Sequence, residues 1–314
     1  MRLIRLSLFV MLLIGIPGLL RAQACCSAGT PLSGSLELPA TPSNQWQNMI
    51  TYQYNSLQDL VAVSNELSDD TRQRAVHSLL IESSYGVSGS VSLSALFTLV
   101  QQERRIQSQF AGTNFLRTRG VGDAVLLLKY ILIPGTIFSQ RTVSLGIGPK
   151  IPLGDFNRKS NGIYLPYDMQ PGTGAWDGML WGHFYQGFRP FPIHLLATTV
   201  YRVTGKSNRG YEFGNELVVN AGIVYQNQQL LDGSILLRYR QVGQDKFDNN
   251  SIANTGGHWL YLNPGINVNL TPGFAIRISG QIPIYRRLNG DQLTTTYRMS
   301  VSSFINLTST KEGS

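Results

Sequence analysis

The side chains that could do charge chemistry share one spacing. Asp123, Lys129, Lys150, Arg202, Glu212, Glu216, Asp232, Arg238, Arg240, Arg277 and Arg298 sit, with Glu82, at every second position of segments whose other positions are apolar. A period of two puts all of these on one face of a strand. If the other face meets lipid, the charged face must meet water, because Arg or Lys against hydrocarbon costs a barrel ~2–4 kcal/mol at the bilayer midplane. Asp123, Lys129, Lys150, Arg202, Glu216, Arg238, Arg240, Arg277 and Arg298 are then candidates to line a lumen. Rings of charged side chains select ions, and the excess of basic groups favours anions. The same residues could instead pair with one another and fill a narrow barrel as a plug. Both readings stand at this point.

Other chemistries fit less well. His77, His183, His194 and His258 are scattered over four strands, with no serine or carboxylate at a recognisable spacing, so a barrel hydrolase is the weaker alternative. Cys25 and Cys26 are the two cysteines. Adjacent cysteines close a relaxed disulfide with difficulty, since a disulfide wants a Cα separation of ~5.5 Å, but together they could hold a soft metal. The Gly120-Val121-Gly122 stretch lacks the helix a phosphate site needs. With no basic run of five or more, nucleic acid is not an expected partner, and no cofactor is expected.

Strands must carry these residues. The clearest unit is Gly257–Tyr285. Leu260, Leu262, Pro264, Ile266, Val268 and Leu270 alternate with polar partners, Thr271-Pro272-Gly273 turns the chain, and Phe274, Ile276, Ile278, Ile282 and Ile284 alternate with Arg277, Ser279 and Gln281. The same pattern predicts strands near 44–55, 72–87, 91–103, 121–133, 141–153, 176–189, 193–205, 211–225, 231–241 and 293–307. The strand at 176–189 is aromatic on both faces, so its inner face stays unassigned. Connections alternate between short ones (88–90, 134–140, 190–192, 226–230, 271–273) and mostly longer ones (56–71, 104–119, 154–175, 206–210, 242–256, 286–292). An even strand count with alternating short turns and long loops is the rhythm of a closed transmembrane barrel. The fold expected is all-β, a closed antiparallel up-and-down meander of about 12 strands.

Composition agrees. Charged residues make up 14% of the 314-residue chain, against about 25% in soluble domains. Beyond the N-terminus no apolar run reaches the ~18 residues of a membrane helix. At the N-terminus, Arg2 and Arg5, the apolar Leu6–Leu20 and Ala22-Gln23-Ala24 have the form of a cleaved export signal. The organisation expected is a signal over 1–24, an extended periplasmic lead over 25–43, the barrel over 44–307 and a polar tail over 308–314. The cysteine after Ala24 leaves lipidation of Cys25 open, although Ala22 stands where a leucine-like residue is usual. Gly154–Ala175, the longest loop, is the one expected to fold inward and gate.

Residues 120–130, GVGDAVLLLKY, and 146–154, GIGPKIPLG, lie on the two strands of one predicted hairpin. This pair resembles the outer-membrane family named for the MetA pathway of phenol degradation, over roughly Arg72 to Leu307. The resemblance implies an outer-membrane barrel of a Gram-negative cell. It also implies transport of small molecules, with no established substrate. Together with the inward charges, the function expected is passive passage of small organic or anionic solutes, with outer-membrane lipid as surroundings and the barrel-assembly machinery as a partner during biogenesis. It brings no catalytic residues, so no enzyme is expected. A structural or binding barrel with a filled lumen is the alternative function. Gly120 and Gly122 are expected to let the chain leave a loop and begin a strand.

Overall fold

The computed structural model describes residues 23–24, 36–108, 112–136, 140–227 and 230–308. Most of the predicted signal, the Cys25-Cys26 pair and the end of the tail lie outside the described residues. Twelve strands form the wall: β1 Gln45–Ala62, β2 Arg72–Gly86, β3 Val91–Ser108, β4 Ala124–Ile133, β5 Arg141–Ile151, β6 Asp177–Gly187, β7 Ile193–Val203, β8 Glu216–Tyr225, β9 Leu231–Val242, β10 Gly257–Thr271, β11 Phe274–Leu288 and β12 Asp291–Thr308. Each pairs antiparallel with the next, and β12 pairs with β1 from Gln45↔Thr308 to Ala62↔Asp291. That last pairing closes the barrel and leaves no edge. Gln23–Ala24 is a two-residue strand beside Gln292–Leu293.

Alternation sets the two faces. Outward positions carry a continuous apolar belt: Ile81, Phe97, Leu128, Ile147, Leu180, Tyr201, Ile223, Leu237, Ile266, Ile282 and Val301 are all exposed. A patch that runs round the whole wall far exceeds what a soluble surface carries. Inward positions hold the charged and small polar residues. On β6 the inner face is Asp177, Met179, Trp181 and His183.

Two segments expected as loops are largely strand. β1 continues to Ala62 and β3 to Ser108, and Gly112–Val121 pairs with β3 from Leu99↔Val121 to Ser108↔Gly112. Polar side chains suit a wall that rises out of lipid, because pairing there satisfies the backbone whatever the side chains are. Below this extension the register becomes Leu96↔Val125. Phe97 and Thr98 therefore face three residues, Gly122–Ala124. The bulge at Gly122–Asp123 separates the extension from β4, so the glycine pair precedes the start of β4 as expected, but it follows a paired strand and not a loop. Gly122 N–H donates to the Thr98 carbonyl at 2.8 Å. A bulge re-aims side chains, and this one turns Asp123 into the lumen.

The lead also departs from expectation. From Leu36 it runs inside the barrel, not out into the periplasm. Leu36 packs with Leu80, Leu96, Val125, Leu127, Met179, Trp181 and Val200. Its backbone polar groups find buried partners there, which an extended segment needs once it leaves water. Gly86 makes room for it, since a Cβ at that position would lie 1.8 Å from the Pro42 carbonyl oxygen.

Candidate functional site

The lumen has two unlike walls. On β2–β6 it is sealed. Glu82 accepts from the backbone N–H groups of Glu37 (3.1 Å) and Leu38 (3.2 Å), and Lys129 Nζ donates to the Leu38 carbonyl (2.7 Å) and pairs with Glu82 (3.2 Å). Trp181 lies under the Lys129 ammonium at 4.5 Å and donates its indole N–H to the Leu36 carbonyl. Glu82 and Lys129 are fully buried. Charges so buried persist only when paired and hydrogen-bonded, and here part of that bonding comes from the lead.

Nearer the long loops, charges alternate in a belt across β4–β9. Lys150 Nζ lies 3.0 Å from Asp123 and 2.8 Å from Asp177. Arg202 reaches Asp177 (3.9 Å) and Glu216 (3.3 Å), and Arg240 Nε meets Glu216 at 2.7 Å with its guanidinium 4.8 Å from the Trp259 ring. Strand register produces the belt, because Asp177 pairs directly with Lys150 and Arg202 with Glu216. Cross-strand opposite charges are stabilising neighbours.

Asp123 also clamps a loop. Its Oδ1 accepts from Gly154 N–H (3.1 Å), and its Oδ2 from Thr173 N–H (3.0 Å) and Thr173 Oγ1 (2.6 Å). One carboxylate thus ties both ends of Gly154–Ala175. The ends cross closely enough that a Cβ on Gly154 would lie 2.5 Å from Gly172 Cα. Between the ties, the loop lies against the inside of the wall. Arg74 bonds Asp168 at 2.9 Å, Gln102 donates to the Gln170 carbonyl (3.1 Å) and Thr118 to that of Met169 (2.8 Å). Met169 is fully buried. Over this loop lies an aromatic cap in which Tyr167 stacks on Tyr211 (4.0 Å) and Phe156 (5.5 Å), and the Arg209 guanidinium sits 3.9 Å from the Tyr164 ring. Asp245 anchors the cap, accepting from Tyr211 Oη (2.5 Å) and Gly214 N–H (2.8 Å); burial raises its pKa.

The opposite wall, β9–β12, is closed at its loop end by Val61, Val242, Trp259, Tyr261 and Leu288. Toward the short turns it keeps accessible inner surface: Ser234, Leu236, Asn263, Asn267, Arg277, Ser279, Arg298 and Ser300 are all partly exposed. Three arginines gather there. Arg238 Nη1 donates to Gln281 Oε1 at 2.8 Å, and Arg298 approaches the same oxygen at 3.5 Å. Arg277 donates to Asn267 (2.9 Å) and to Glu37 of the lead (2.9 Å). The result is a basic, partly exposed stretch of inner wall toward the short turns, the vestibule, with Arg277 and Arg298 accessible and Arg238 buried behind them.

Asp123, Lys129, Lys150, Arg202, Glu216, Arg238, Arg240, Arg277 and Arg298 all lie on the inner face. Asp123, Lys150, Arg202, Glu216 and Arg240 form the belt, Lys129 holds the lead, and Arg238, Arg277 and Arg298 line the vestibule. Glu212 is a correction. It stands in the loop strand Tyr211–Glu212 and pairs with Lys246 above the wall, because the chain leaves the loops and enters β8 only at Glu216. Asp177 and Arg74 were missed by sequence reasoning. Asp177 opens the strand whose aromatics hid its parity, and Arg74 could have been found from the parity of Glu82 on the same strand. The histidines are held singly: His77 by Tyr52 (2.8 Å), His194 by Tyr185 (2.7 Å), His258 by Tyr239 (2.8 Å), and His183 stacked on Trp181.

No family model and no curated protein matches the chain. Among solved structures it is similar to an outer membrane channel from Pseudomonas putida F1, with a TM-score of 0.67 and 13% identity, covering 86% of this chain and 98% of that one. It aligns more loosely with a Pseudomonas aeruginosa FadL homologue (TM-score 0.41, 11% identity, 91% and 98% covered) and with the NanC porin (TM-score 0.42, 10% identity, 83% and 100% covered). At 13% identity the first likeness concerns the fold.

Proposed function

We propose that this chain is a channel of the Gram-negative outer membrane that passes small solutes and rests in a closed form. The carrying observation is the partly exposed, arginine-bearing inner surface of β9–β12, in a barrel whose β2–β6 side is filled by a lead and a loop. Neither filler belongs to the wall, so either can leave without opening the barrel. The apolar belt supports placement in lipid, and the long loops mark the outward end. The arginines favour anionic solutes, and the resemblance to the phenol-pathway family is consistent with small organic compounds. The buried charge belt favours the filled-lumen alternative for one half of the wall only.

Planar-bilayer conductance tests the reading. The intact chain is expected to give small, rare openings, and a variant lacking residues 36–41 larger and longer ones. Silence from both, with refolding confirmed by a heat-dependent gel shift, would exclude a channel.

A further inference from the structure

A groove of about 430 Å³ indents the outer face of β1–β3 and the Gly112–Val121 extension. Register makes its floor two parallel rows. Tyr52, Leu79, Leu99 and Val121 are successive cross-strand neighbours, and the next row toward the loops is Tyr54, His77, Gln101 and Arg119. The first row is the upper limit of the apolar belt. In the second, Tyr52 Oη bonds His77 Nδ1 across the rows at 2.8 Å. Arg117 follows one row higher, paired with Glu103 at 3.2 Å, and Arg105 one row above that. Among the described residues no ion pair engages Arg119 or Arg105, and both are exposed.

We propose that this groove holds a phosphorylated glycolipid of the outer leaflet. The inference rests on the outer-membrane reading above. An acyl chain crosses the Leu79–Leu99–Val121 row and descends over exposed Ile81 and Phe97 in the next row toward the short turns, and the phosphates meet Arg119 and Arg105. Two points select this occupant. The groove straddles the boundary between apolar and cationic wall at the long-loop end, where a lipid's head meets its chains. The two unpaired arginines sit in rows separated by four residues, about 14 Å along an antiparallel strand. That spacing suits a head group with a phosphate at each end better than a phospholipid with one. Arginine is the side chain suited to such phosphates, through its planar fork of donors.

The test is native mass spectrometry of the full chain, released from detergent in the presence of a bis-phosphorylated, hexa-acylated glycolipid. One glycolipid is expected to stay bound. The Arg105→Ala/Arg119→Ala double variant should lose about tenfold in retention, and Arg141→Ala, exposed at the short-turn end, should retain it fully. The mono-phosphorylated glycolipid should bind more weakly than the bis-phosphorylated form. Equal retention by the double variant overturns the proposal, and so does equal binding of phosphatidylglycerol, which would make a phospholipid the occupant. Cell fractionation of the same variants separates the two levels. A chain found in the outer membrane whose retention ignores the arginines refutes the groove alone; a chain found elsewhere refutes the outer-membrane reading.

Discussion

Replacing Asp123 with Asn should open the loop without unfolding the barrel. The carboxylate takes three bonds from Gly154 and Thr173 in addition to Lys150. An asparagine Oδ1 can keep the Gly154 bond, but its Nδ2 then faces Thr173 N–H and Lys150, all donors. Hydrogen bonds to charged groups contribute roughly 1.5–3 kcal/mol each, so losing the Thr173 pair costs about 3–6 kcal/mol. Lys150 is not orphaned, because Asp177 remains 2.8 Å away; this keeps the cost below that of a lone buried charge. At ~1.4 kcal/mol per decade, the loop's open population should rise about 10²–10⁴-fold. Hydrogen exchange over 154–175 reads this directly, and planar-bilayer recordings should show more frequent openings. Unchanged exchange in this segment, with the heat-dependent gel shift retained, would refute the clamp. Faster exchange with unchanged conductance would keep the clamp and remove the loop as the gate.

Arg298→Glu should move ion selectivity toward cations, read as a shifted reversal potential in a salt gradient. Arg240→Gln should shift it far less, because Arg240 already spends its charge on Glu216; equal shifts would dissolve the distinction between vestibule and belt. Gly86→Val should displace the lead, since even a Cβ there meets the Pro42 carbonyl at 1.8 Å, and should raise conductance as the 36–41 deletion does. Asp245 gives the cap a pH dependence. Burial raises its folded pKa, so its stabilising contribution is full below the unfolded value, ~3.9, and is lost as pH rises through the folded one. Asp245→Asn should slow hydrogen exchange over 206–256 relative to wild type at neutral pH and match it at acidic pH; a pH-independent difference would refute the titration.

Much of the wall was legible because lipid leaves so little freedom. One face must be apolar and the edges must close, so alternation and loop rhythm located the strands. They also located the inward parity of Lys129, Lys150, Arg202, Arg238, Arg277 and Arg298. Of the lumen's contents, the inward fold of Gly154–Ala175 was expected from its length, but the lead was not legible, since no local rule says that such a segment fills a lumen. The lead at 36–41 carries Leu36, Glu37 and Leu38, an unremarkable run whose meaning comes from Glu82, Lys129 and Trp181, residues 44 to 145 positions away. The wall above lipid was under-read for the opposite reason. Outside the bilayer the apolar parity lapses at Arg104–Arg119 while backbone pairing continues.

The two walls together suggest why so much charge is buried in this barrel. A lumen filled with well-packed apolar side chains would be no less stable than one filled with ion pairs, but its filling could not leave without exposing apolar surface to water. Glu82 with Lys129, and Asp123 with Lys150, hold the lead and the loop mainly through backbone groups. When a filler departs, each acid keeps its own lysine, and water can replace the backbone donors. The charged wall therefore remains paired in both states, and the difference between closed and open lies in a few hydrogen bonds and in the apolar contacts of Leu36 and Met169. On this argument, replacing the Glu82–Lys129 pair by Leu and Met should leave the barrel folded and cost the lead its backbone anchors. Conductance should then rise while thermal stability falls little; a large loss of stability would show that the pair serves the wall itself.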